Sequence, residues 1–258
     1  GIHFSSISVL FTRGGTKTVL NSLFSAGNFD RIFIRGDTHG NFDFLDDFCE
    51  KASTTTFDLL IILGDAGINY YPPNHKRYME LTNKLRNAPI NILCIRGNHE
   101  DRPEDRPEYH LESKDIGDPV YVSHWMPNVW FAPSVAEFTL NGTRCLVAGG
   151  AYSVDKWWRI TNGNKWVANE QLTYEEKQKL FQLSEGEHYD HVFTHTCPVD
   201  WMPRDLFLPD VDQSKVDSTM ENFFQLLIDL NGIGYDHWWF GHYHDHRMDV
   251  CGDRKVHM

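Results

Sequence analysis

The chain has 258 residues and a formal net charge of −12, from 36 acidic and 24 basic side chains. This charge weighs against an anionic membrane or extended nucleic acid as a partner. We expect a single domain over residues 30–258, preceded over residues 1–29 by an N-terminal extension or a first strand or helix. Five cysteines lie far apart, mostly in apolar runs, as in buried thiols of a reducing compartment. With neither a signal peptide nor a membrane-length apolar stretch in the sequence, we predict a cytoplasmic protein.

The first half of the chain alternates short apolar runs with helical stripes. Such runs, bounded by polar residues, are typical of strands covered on both faces. Strands are predicted at residues 31–34, 57–63 and 91–95, and helices at residues 42–52 and 78–86. This is a βαβαβ pattern, in which ligands bind beyond the carboxyl ends of the strands. The three strands end in Gly36-Asp37-Thr38-His39, Gly64-Asp65 and Gly97-Asn98-His99-Glu100.

The second half begins with antiparallel features and then returns to alternating strands and helices. Asn141-Gly142 between two apolar runs is a strong hairpin signal. Further strands are predicted at residues 120–122, 129–131, 136–140, 144–148, 191–194 and 238–240, with helices at residues 169–183 and 221–230. Residues 101–119 and 198–217 are predicted loops, either walls of a cleft or solvated surface. The last two strands end in His195 and in Gly241-His242-Tyr243-His244.

Side chains that can bind metal ions thus follow five separate strands. Taken singly, each has an ordinary explanation, because an Asp after Gly makes a turn and a lone His is more often structural. Five strand ends that all carry such a side chain are hard to explain in that way. The candidates are Asp37, His39, Asp65, Asn98, His195, His242 and His244.

The chemistry of these candidates indicates two metal ions. Carboxylates, imidazoles and one amide, without a thiolate, suit Mn²⁺ first, with Fe or Zn²⁺ as alternatives. Seven donors exceed what one tetrahedral ion uses, and one aspartate can bridge two ions. We therefore predict two divalent ions as cofactors, about 3.5–4 Å apart.

In these motifs the chain resembles the calcineurin-like metallophosphoesterases. The five strand-end motifs stand in the order of that family, and the resemblance extends over residues 31–244. It implies an α/β fold of four layers, an αββα sandwich of two mixed sheets flanked by helices. The metal site would lie at one edge of the sandwich.

The resemblance also implies a role for each residue. The implied ligands are Asp37, His39 and His244 for the first ion, Asn98, His195 and His242 for the second, and Asp65 as the bridge. His99 would be the catalytic residue that faces the phosphoryl group and donates a proton or a hydrogen bond to the leaving oxygen.

One motif departs from the Ser/Thr protein phosphatases of the same family. They carry Gly-Asp-x-x-Asp-Arg-Gly, whereas this chain has Ile68 and Asn69 in place of the second Asp and the Arg. The arginine that would grip phosphate is therefore missing there, and Arg159 is the candidate to replace it. Three tryptophans lie near Arg159 in the sequence: Trp157, Trp158 and Trp166. They either stack on a base of the substrate or pack against the hydrophobic core, and we expect at least one of them to pack.

We therefore expect a metal-dependent phosphoester hydrolase, in which a hydroxide between two ions attacks phosphorus in a phosphomonoester or small phosphodiester. The expected substrate is a phosphorylated small molecule, a nucleotide or a phosphoprotein. The alternative is a nuclease or phosphodiesterase that processes nucleic-acid ends. A non-catalytic metal-binding scaffold is less favoured, because none of the seven ligands is lost.

Overall fold

The computed structural model describes residues 7–12, 28–251 and 254–258. Its strands are β1 (Ile7–Thr12), β2 (Arg31–Arg35), β3 (Asp58–Ile62), β4 (Asn91–Cys94), β5 (Tyr109–Glu112), β6 (Val120–Ser123), β7 (Met126–Phe131), β8 (Val135–Leu140), β9 (Thr143–Ala148), β10 (His188–Thr194), β11 (Gly234–Phe240), β12 (Met248–Cys251) and β13 (Arg254–His257). Its α-helices are α1 (Phe44–Ala52), α2 (Lys76–Arg86), α3 (Lys156–Thr161), α4 (Tyr174–Ser184) and α5 (Thr219–Asp229).

These strands form two mixed sheets. The first has the order β1-β2-β3-β4-β7-β6-β5, and the second has the order β12-β13-β11-β10-β9-β8. Strands β2, β3, β4 and β7 run parallel at the centre of the first sheet, as do β9, β10, β11 and β13 in the second. Antiparallel strands flank both parallel blocks. The carboxyl ends of the parallel strands within each sheet therefore share one edge.

Three apolar clusters define four layers. Alternate residues of both sheets, such as Ile61 and Phe193, form a buried cluster between the sheets. The other face of the first sheet packs against α1 and α2, whose buried residues include Phe48 and Leu85. The other face of the second sheet packs against α4 and α5, and Phe224 is buried there. The predicted αββα sandwich is confirmed, because strands buried on both faces need a cover on each side.

The short helices begin and end where the local sequence favours it. In α1 the buried Leu45, Phe48 and Cys49 share one face, and Ser53 ends the helix in the left-handed conformation. In α4 the side chain of Thr173 accepts a hydrogen bond from the backbone N–H of Glu176, and the Glu176 carboxylate accepts one in return. This capping box satisfies two N–H groups that the helix leaves without partners.

Several element boundaries differ from the predictions. The predicted loop 101–119 contains β5, a partly exposed edge strand without the alternation that marks a half-buried strand. Helix α4 begins at Tyr174 rather than at residue 169, because Arg96 and Arg102 hold the carbonyl groups of residues 169–171 by hydrogen bonds. The pattern did not predict α3, β12 or β13. Within the N-terminal segment 1–29 the apolar residues at 19–24 also predict a short helix, and those residues lie outside the described ranges.

Two further sequence features have structural counterparts. Cys49, Cys94, Cys145 and Cys197 are free and buried. In the described part of the chain, the helices are too short or too polar to span a bilayer.

Candidate metal centre

Two sheets contribute the predicted ligands from adjacent edges. Residues after β2, β3 and β4 of the first sheet supply Asp37, His39, Asp65 and Asn98. Residues after β10 and β11 of the second sheet supply His195, His242 and His244. A hydrogen bond of 2.8 Å from the backbone N–H of His242 to Oδ1 of Asp37 joins the two groups. The structure thus brings together all seven predicted ligands, although they span more than 200 positions in the chain.

Asp37, His39 and His244 form the first group of donors. The Nε2 atoms of the two histidines lie 3.0 Å apart. The Oδ2 atom of Asp37 lies 3.2 Å from Nε2 of His244 and 3.6 Å from Nε2 of His39. Two nitrogens that bind one ion at a right angle, each about 2.1 Å from it, are about 3.0 Å apart. The donor atoms of this group therefore fit a single divalent ion.

Asp65 connects this first group to the remaining ligands. Its Oδ2 atom lies 3.9 Å from Nδ1 of His39 and 3.6 Å from Nε2 of His195. The same His195 nitrogen lies 2.8 Å from Oδ1 of Asn98. Asp37, Asp65 and His195 form a second group of three donors, so that Asp37 belongs to both groups. Either aspartate is placed to bridge two ions, and the assignment of the bridge to Asp65 stays a prediction.

Hydrogen bonds from the backbone orient these donors. Oδ1 of Asp65 accepts the backbone N–H of His99 at 2.9 Å, which leaves Oδ2 to face the other ligands. The Nδ1 atom of His195 lies 2.7 Å from the carbonyl oxygen of Leu63, so this nitrogen donates and Nε2 faces the site. A fixed second nitrogen sets the tautomer of a metal-binding imidazole. The arrangement is built to present lone pairs to a cation.

The backbone of the site is strained. His39, Asp65, His242 and His244 have φ angles of 47°, 46°, 71° and 55°. Residues with a Cβ atom rarely adopt this left-handed region, and each such residue costs on the order of 1 kcal/mol or more. Four of the seven predicted ligands carry this cost, which indicates that the loops are shaped for the site rather than for stability.

Two glycines allow the loops to approach closely. A Cβ atom at Gly64 would collide with the ring of His195, and one at Gly97 would collide with the carboxylate of Asp65. Glycine therefore stands before Asp65 and before Asn98 because any other side chain would occupy the position of a ligand.

Strong electric fields act on the buried donors. Burial alone would raise the pKa of Asp65, but His195 and the hydrogen bonds of the site hold that pKa well below its usual range. Burial would likewise lower the pKa of His195, whereas Asp65 and Asp37 raise it to about 9. Burial and the adjacent His195 lower the pKa of His242 to about 3. The two carboxylates thus create a negative field that favours a cation, and metal binding would displace the proton of His195.

His99 lies beside the ligands without belonging to either donor group. Its Nε2 atom is 3.9 Å from Oδ2 of Asp65 and 3.2 Å from Nδ2 of Asn98. Burial lowers the pKa of His99, and the positive charge of Arg159 adds to that effect. The ring borders two cavities that open on the site. A ligand bound at the metal ions would therefore contact His99.

A chain of hydrogen bonds that the sequence did not predict supports Asn98. Its Nδ2 donates to Oγ of Ser153 at 2.8 Å, and Ser153 donates to Oε2 of Glu170 at 2.5 Å. Trp166 donates to the same Glu170 oxygen at 2.9 Å. These bonds fix the amide so that Oδ1 of Asn98 faces His195. Neither Ser153 nor Glu170 stands at a strand end with a motif, so only their contacts identify them.

Positions 68 and 69, which depart from the protein phosphatase motif, are structural. Ile68 and Asn69 are both fully buried. Oδ1 of Asn69 accepts a hydrogen bond of 2.7 Å from the hydroxyl group of Tyr109. The carboxylate of Glu100 accepts the backbone N–H of Ala66 at 3.1 Å and thereby holds the loop after Asp65. The segment around Ile68 and Asn69 is thus held by hydrogen bonds to its neighbours and does not supply a phosphate-binding side chain at these two positions.

Arg159 lies in α3 and borders the same cavity as His39 and His99. Its Nε atom donates to Asp155 at 2.7 Å, and its Nη1 atom donates to the carbonyl group of Lys165 at 3.3 Å. The guanidinium group is thereby held near the metal centre. Its role in binding phosphate stays a prediction.

The three tryptophans near Arg159 differ in their environments. Trp157 and Trp158 are 67% and 61% exposed, so this pair does not close the hydrophobic core. Trp166 is half-buried and bonded to Glu170. Trp166 is the structural member of the three.

The loop segments expected beside the cleft behave differently. The segment 202–217 contributes Met202, Leu206 and several later residues to a cavity at the metal centre. By contrast, residues 102–118 line neither of the two cavities described at this site.

Comparison with known proteins supports the assignment made from the residues. A family model described as calcineurin-like phosphoesterase matches residues 30–246. Among solved structures, the chain is similar to Phosphopantetheinyl Hydrolase from Mycobacterium tuberculosis, with 13% sequence identity, a TM-score of 0.42 and coverage of 90% of this chain and 89% of that chain. A likeness this weak supports no statement about substrate. No curated protein matches the chain significantly. The family match spans most of the chain and includes every strand-end motif, so the chain belongs to the calcineurin-like phosphoesterase family.

Proposed function

We propose that the protein is a two-metal phosphoester hydrolase that acts on small organic phosphoesters. The observation that carries this proposal is the convergence of seven donor side chains from five strand ends around the adjacent carboxylates of Asp37 and Asp65. Structural histidines and turn aspartates have no reason to meet in this way, whereas a hydrolytic metal site requires it.

The proposed ligands divide as the resemblance implies. The first ion would be held by Asp37, His39 and His244, the second by Asn98, His195 and His242, and Asp65 would contact both. Oxygen and imidazole donors without thiolates favour Mn²⁺, with Fe or Zn²⁺ as alternatives. When bound, the two ions would neutralise charge on the phosphoryl oxygens and acidify the attacking water.

His99 and Arg159 would act on the substrate directly. The lowered pKa of His99 favours a neutral ring, which can still donate a hydrogen bond from its remaining N–H to the leaving oxygen. Arg159 would bind a phosphoryl oxygen, since Arg159 and His99 border one cavity. Water that supplies the attacking oxygen would also supply the proton that the leaving alcohol retains.

A substrate panel tests this proposal. Purified protein with added Mn²⁺ should hydrolyse at least one member of a panel comprising 4-nitrophenyl phosphate, bis(4-nitrophenyl) phosphate, cyclic nucleotides, dinucleoside polyphosphates and a phosphopeptide. The variant His195→Ala should lose that activity while its circular dichroism spectrum stays that of the folded protein. Wild-type turnover in this variant would refute the proposed site.

Metal content gives an independent measurement. Elemental analysis of protein that was never stripped of metal should find about two divalent ions per chain, and fewer in His195→Ala. The variant His237→Asn is the matched control. His237 lies within β11, before the ligands that follow this strand, and it belongs to neither donor group. Its metal content should equal that of the wild type.

The two rival functions predict different outcomes. A non-catalytic scaffold would bind the ions and hydrolyse no member of the panel. A nuclease that processes nucleic-acid ends would prefer a short oligonucleotide to every small ester, although the net charge of −12 disfavours long nucleic acid.

We also propose a cytoplasmic location, which four buried free cysteines support.

A further inference from the structure

Two cavities of different character meet at His99. The first has a volume of about 280 Å³ and is bordered at the metal centre by Asp65, Asn98 and His242. The second has a volume of about 630 Å³ and is bordered there by His39. His99 lines both. A phosphorus atom at the metal ions would therefore have space for a substituent on each side of this histidine.

The first cavity has an apolar outer wall. The segment between β10 and α5 contributes six apolar side chains to it: Met202, Leu206, Phe207, Leu208, Val211 and Val216. Five of them are half-buried, and Leu208 is 57% exposed. This apolar surface lies within reach of the proposed reaction centre, where a bound apolar group would remove it from water.

The charges around the first cavity are negative. Asp217, Glu221 and Asp155, of which Asp155 is paired with Arg159, line it, and among its lining residues, all of which the structure describes, there is neither Lys nor Arg. A phosphate, sulfate or carboxylate on the substrate would find no cation here. The cavity thus suits an uncharged apolar substituent and disfavours an anionic one.

The second cavity has the opposite character. It is lined by Arg77, Lys84 and Arg159 together with Tyr70 and Tyr71. Acidic groups offset part of the positive charge: Asp43 and Glu80 also line the cavity, Asp155 holds Arg159, and Lys84 pairs with Asp46 at 3.4 Å and with Asp43 at 3.7 Å. The exposed Arg77 is the cation of this cavity that is offered to a ligand. Arg77 is exposed and lies 5.8 Å from the ring centroid of Tyr71. Cations beside aromatic rings suit a polar or anionic substituent with a planar part.

We infer that the substrate is a phosphodiester with two unlike arms, an apolar arm in the first cavity and a polar or anionic arm in the second. This inference rests on the proposed function and selects the diester from the two classes that function allows. A phosphomonoester has one arm and would leave one cavity without a contact. Segment 202–216 is then the part of the chain that determines specificity for the apolar arm.

The reaction balances as a hydrolysis. The oxygen of one water molecule forms a bond to phosphorus, and the P–O bond to one arm breaks. The electron pair of that bond goes to the leaving oxygen, which takes up a proton from the water. The products are an alcohol and a phosphomonoester of the other arm, with no oxidant or further reactant.

A series of diesters with increasing alkyl length tests the apolar arm. Methyl, propyl and hexyl 4-nitrophenyl phosphate are compared with 4-nitrophenyl phosphate by the release of 4-nitrophenolate. We expect kcat/KM to rise about fourfold per methylene until the cavity is filled. The diesters should also exceed the monoester.

Charged substitutions in the wall locate the effect. The variants Leu208→Asp and, separately, Val211→Asp should reduce the ratio of kcat/KM for the hexyl diester to that for the methyl diester by at least tenfold. Leu230→Asp is the matched control, because Leu230 is 79% exposed and lies outside both cavities. Its ratio should equal that of the wild type.

A second pair of diesters tests the polar arm. Hexyl 4-carboxyphenyl phosphate is compared with hexyl phenyl phosphate. Arg77→Ala should lower the preference for the carboxylate about threefold, as expected for an exposed charge pair. Arg86→Ala in the same helix, outside the cavity, should leave that preference unchanged.

The outcomes separate the inference from the function on which it rests. If no ester of either class is hydrolysed, the proposed function fails. If esters are hydrolysed but the alkyl series is flat, or the monoester is preferred, the inference fails and the proposed function stands. An alkyl effect that Leu208→Asp and Val211→Asp both leave unchanged would also overturn the inference.

Discussion

Two groups of histidines belong to the second sheet, around strands β10 and β11. One group, His195, His242 and His244, follows the carboxyl ends of the strands and belongs to the metal centre. The other group, His191, His237 and His257, lies along the strands and on the neighbouring β13. His191 precedes His195 by four residues, about 13 Å of extended chain. Only one of the two groups has the chemistry of a metal site.

The groups differ in their partners. The Nε2 atoms of His195 and His244 face the carboxylates of Asp65 and Asp37, at 3.6 and 3.2 Å. In the second group His237 and His257 face each other at 3.0 Å, and Nδ1 of His191 accepts a hydrogen bond of 3.3 Å from Trp239. The indole of Trp239 also stacks on His257, with ring centroids 3.6 Å apart.

This comparison shows that the number of histidines does not identify a metal site. Among the described residues, both sets of three donors close enough for one ion lie in the metal centre and contain Asp37. A buried carboxylate supplies the negative charge that offsets a cation, whereas a tryptophan and other imidazoles do not. The second group is part of the packing between the sheets.

The largest expected effect comes from removing a carboxylate of the metal centre. Asp65→Asn should lower kcat by about a thousandfold or more, because several kcal/mol of charge stabilisation depends on the metal ions. Steady-state kinetics with added Mn²⁺ measure the effect. Asp236→Asn, beside the second histidine group, should retain wild-type kcat. Similar losses in both variants would break the contrast between the two regions.

His99→Ala should have a large effect that depends on the leaving group. Loss of a hydrogen-bond or proton donor should reduce turnover about a hundredfold for alkyl leaving groups, and much less for 4-nitrophenolate, which leaves without help. The measurement compares kcat for an alkyl and an aryl ester in the wild type and the variant. Equal losses for both esters would show that His99 does not assist the leaving group.

Ser153→Ala should have an intermediate effect. The change removes the acceptor of the Asn98 amide, and loss of such a supporting bond typically costs about tenfold to a hundredfold in metal affinity or activity. Titration of metal-free protein with Mn²⁺, followed by isothermal calorimetry, measures the affinity. Ser184→Ala, a buried serine in α4, is the control and should bind Mn²⁺ like the wild type. Unchanged affinity in Ser153→Ala would assign the Ser153 network to folding alone.

The smallest effect concerns stability rather than activity. Burial, followed by the nearby His237, lowers the pKa of His191 to about 4, although Asp190 and Asp236 oppose the shift. Above the ordinary histidine pKa of about 6.5, His191 is neutral in both states and the full stability is present. As the pH falls toward 4, the unfolded chain takes up a proton that the folded protein resists. Stability is therefore lost in that range.

Urea denaturation at pH 7.5 and pH 5 measures this loss. His191 should account for about 2 kcal/mol of the decrease in unfolding free energy between the two values. His191→Gln should reduce the decrease by about that amount, because glutamine does not titrate. An equal decrease in the variant and the wild type would show that His191 is not responsible.

Much of the fold and of the site was predictable because the signals are local. A strand covered on both faces must be apolar throughout, so the runs at β3 and β4 identify themselves. The glycines before Asp65 and Asn98 are dictated by close approach to a ligand. The residue types at five strand ends also indicated a hard or borderline metal before any distance was known.

Other features depend on contacts between distant parts of the chain. Ser153 and Glu170 support Asn98 through space, and neither carries a motif. The sequence predicts only a loop over residues 198–217, either a cleft wall or solvated surface, and the structure shows that apolar side chains of residues 202–216 line a cavity. Edge strand β5 has no alternation that would mark it, because its pairing with β6 depends on a neighbour and not on its own pattern.

The sequence by itself thus determined most strands and helices from hydrophobic period, and the ligand types and the family from short motifs, while the resemblance to that family implied the layered architecture. The tertiary structure alone decided the distances among the ligands, such as the 3.2 Å between His244 and Asp37, and that two unlike cavities meet at His99. The physical reason is that burial and periodicity act on neighbours in the chain, whereas the shape and charge of a cavity are set by side chains that only the packing of two sheets brings together.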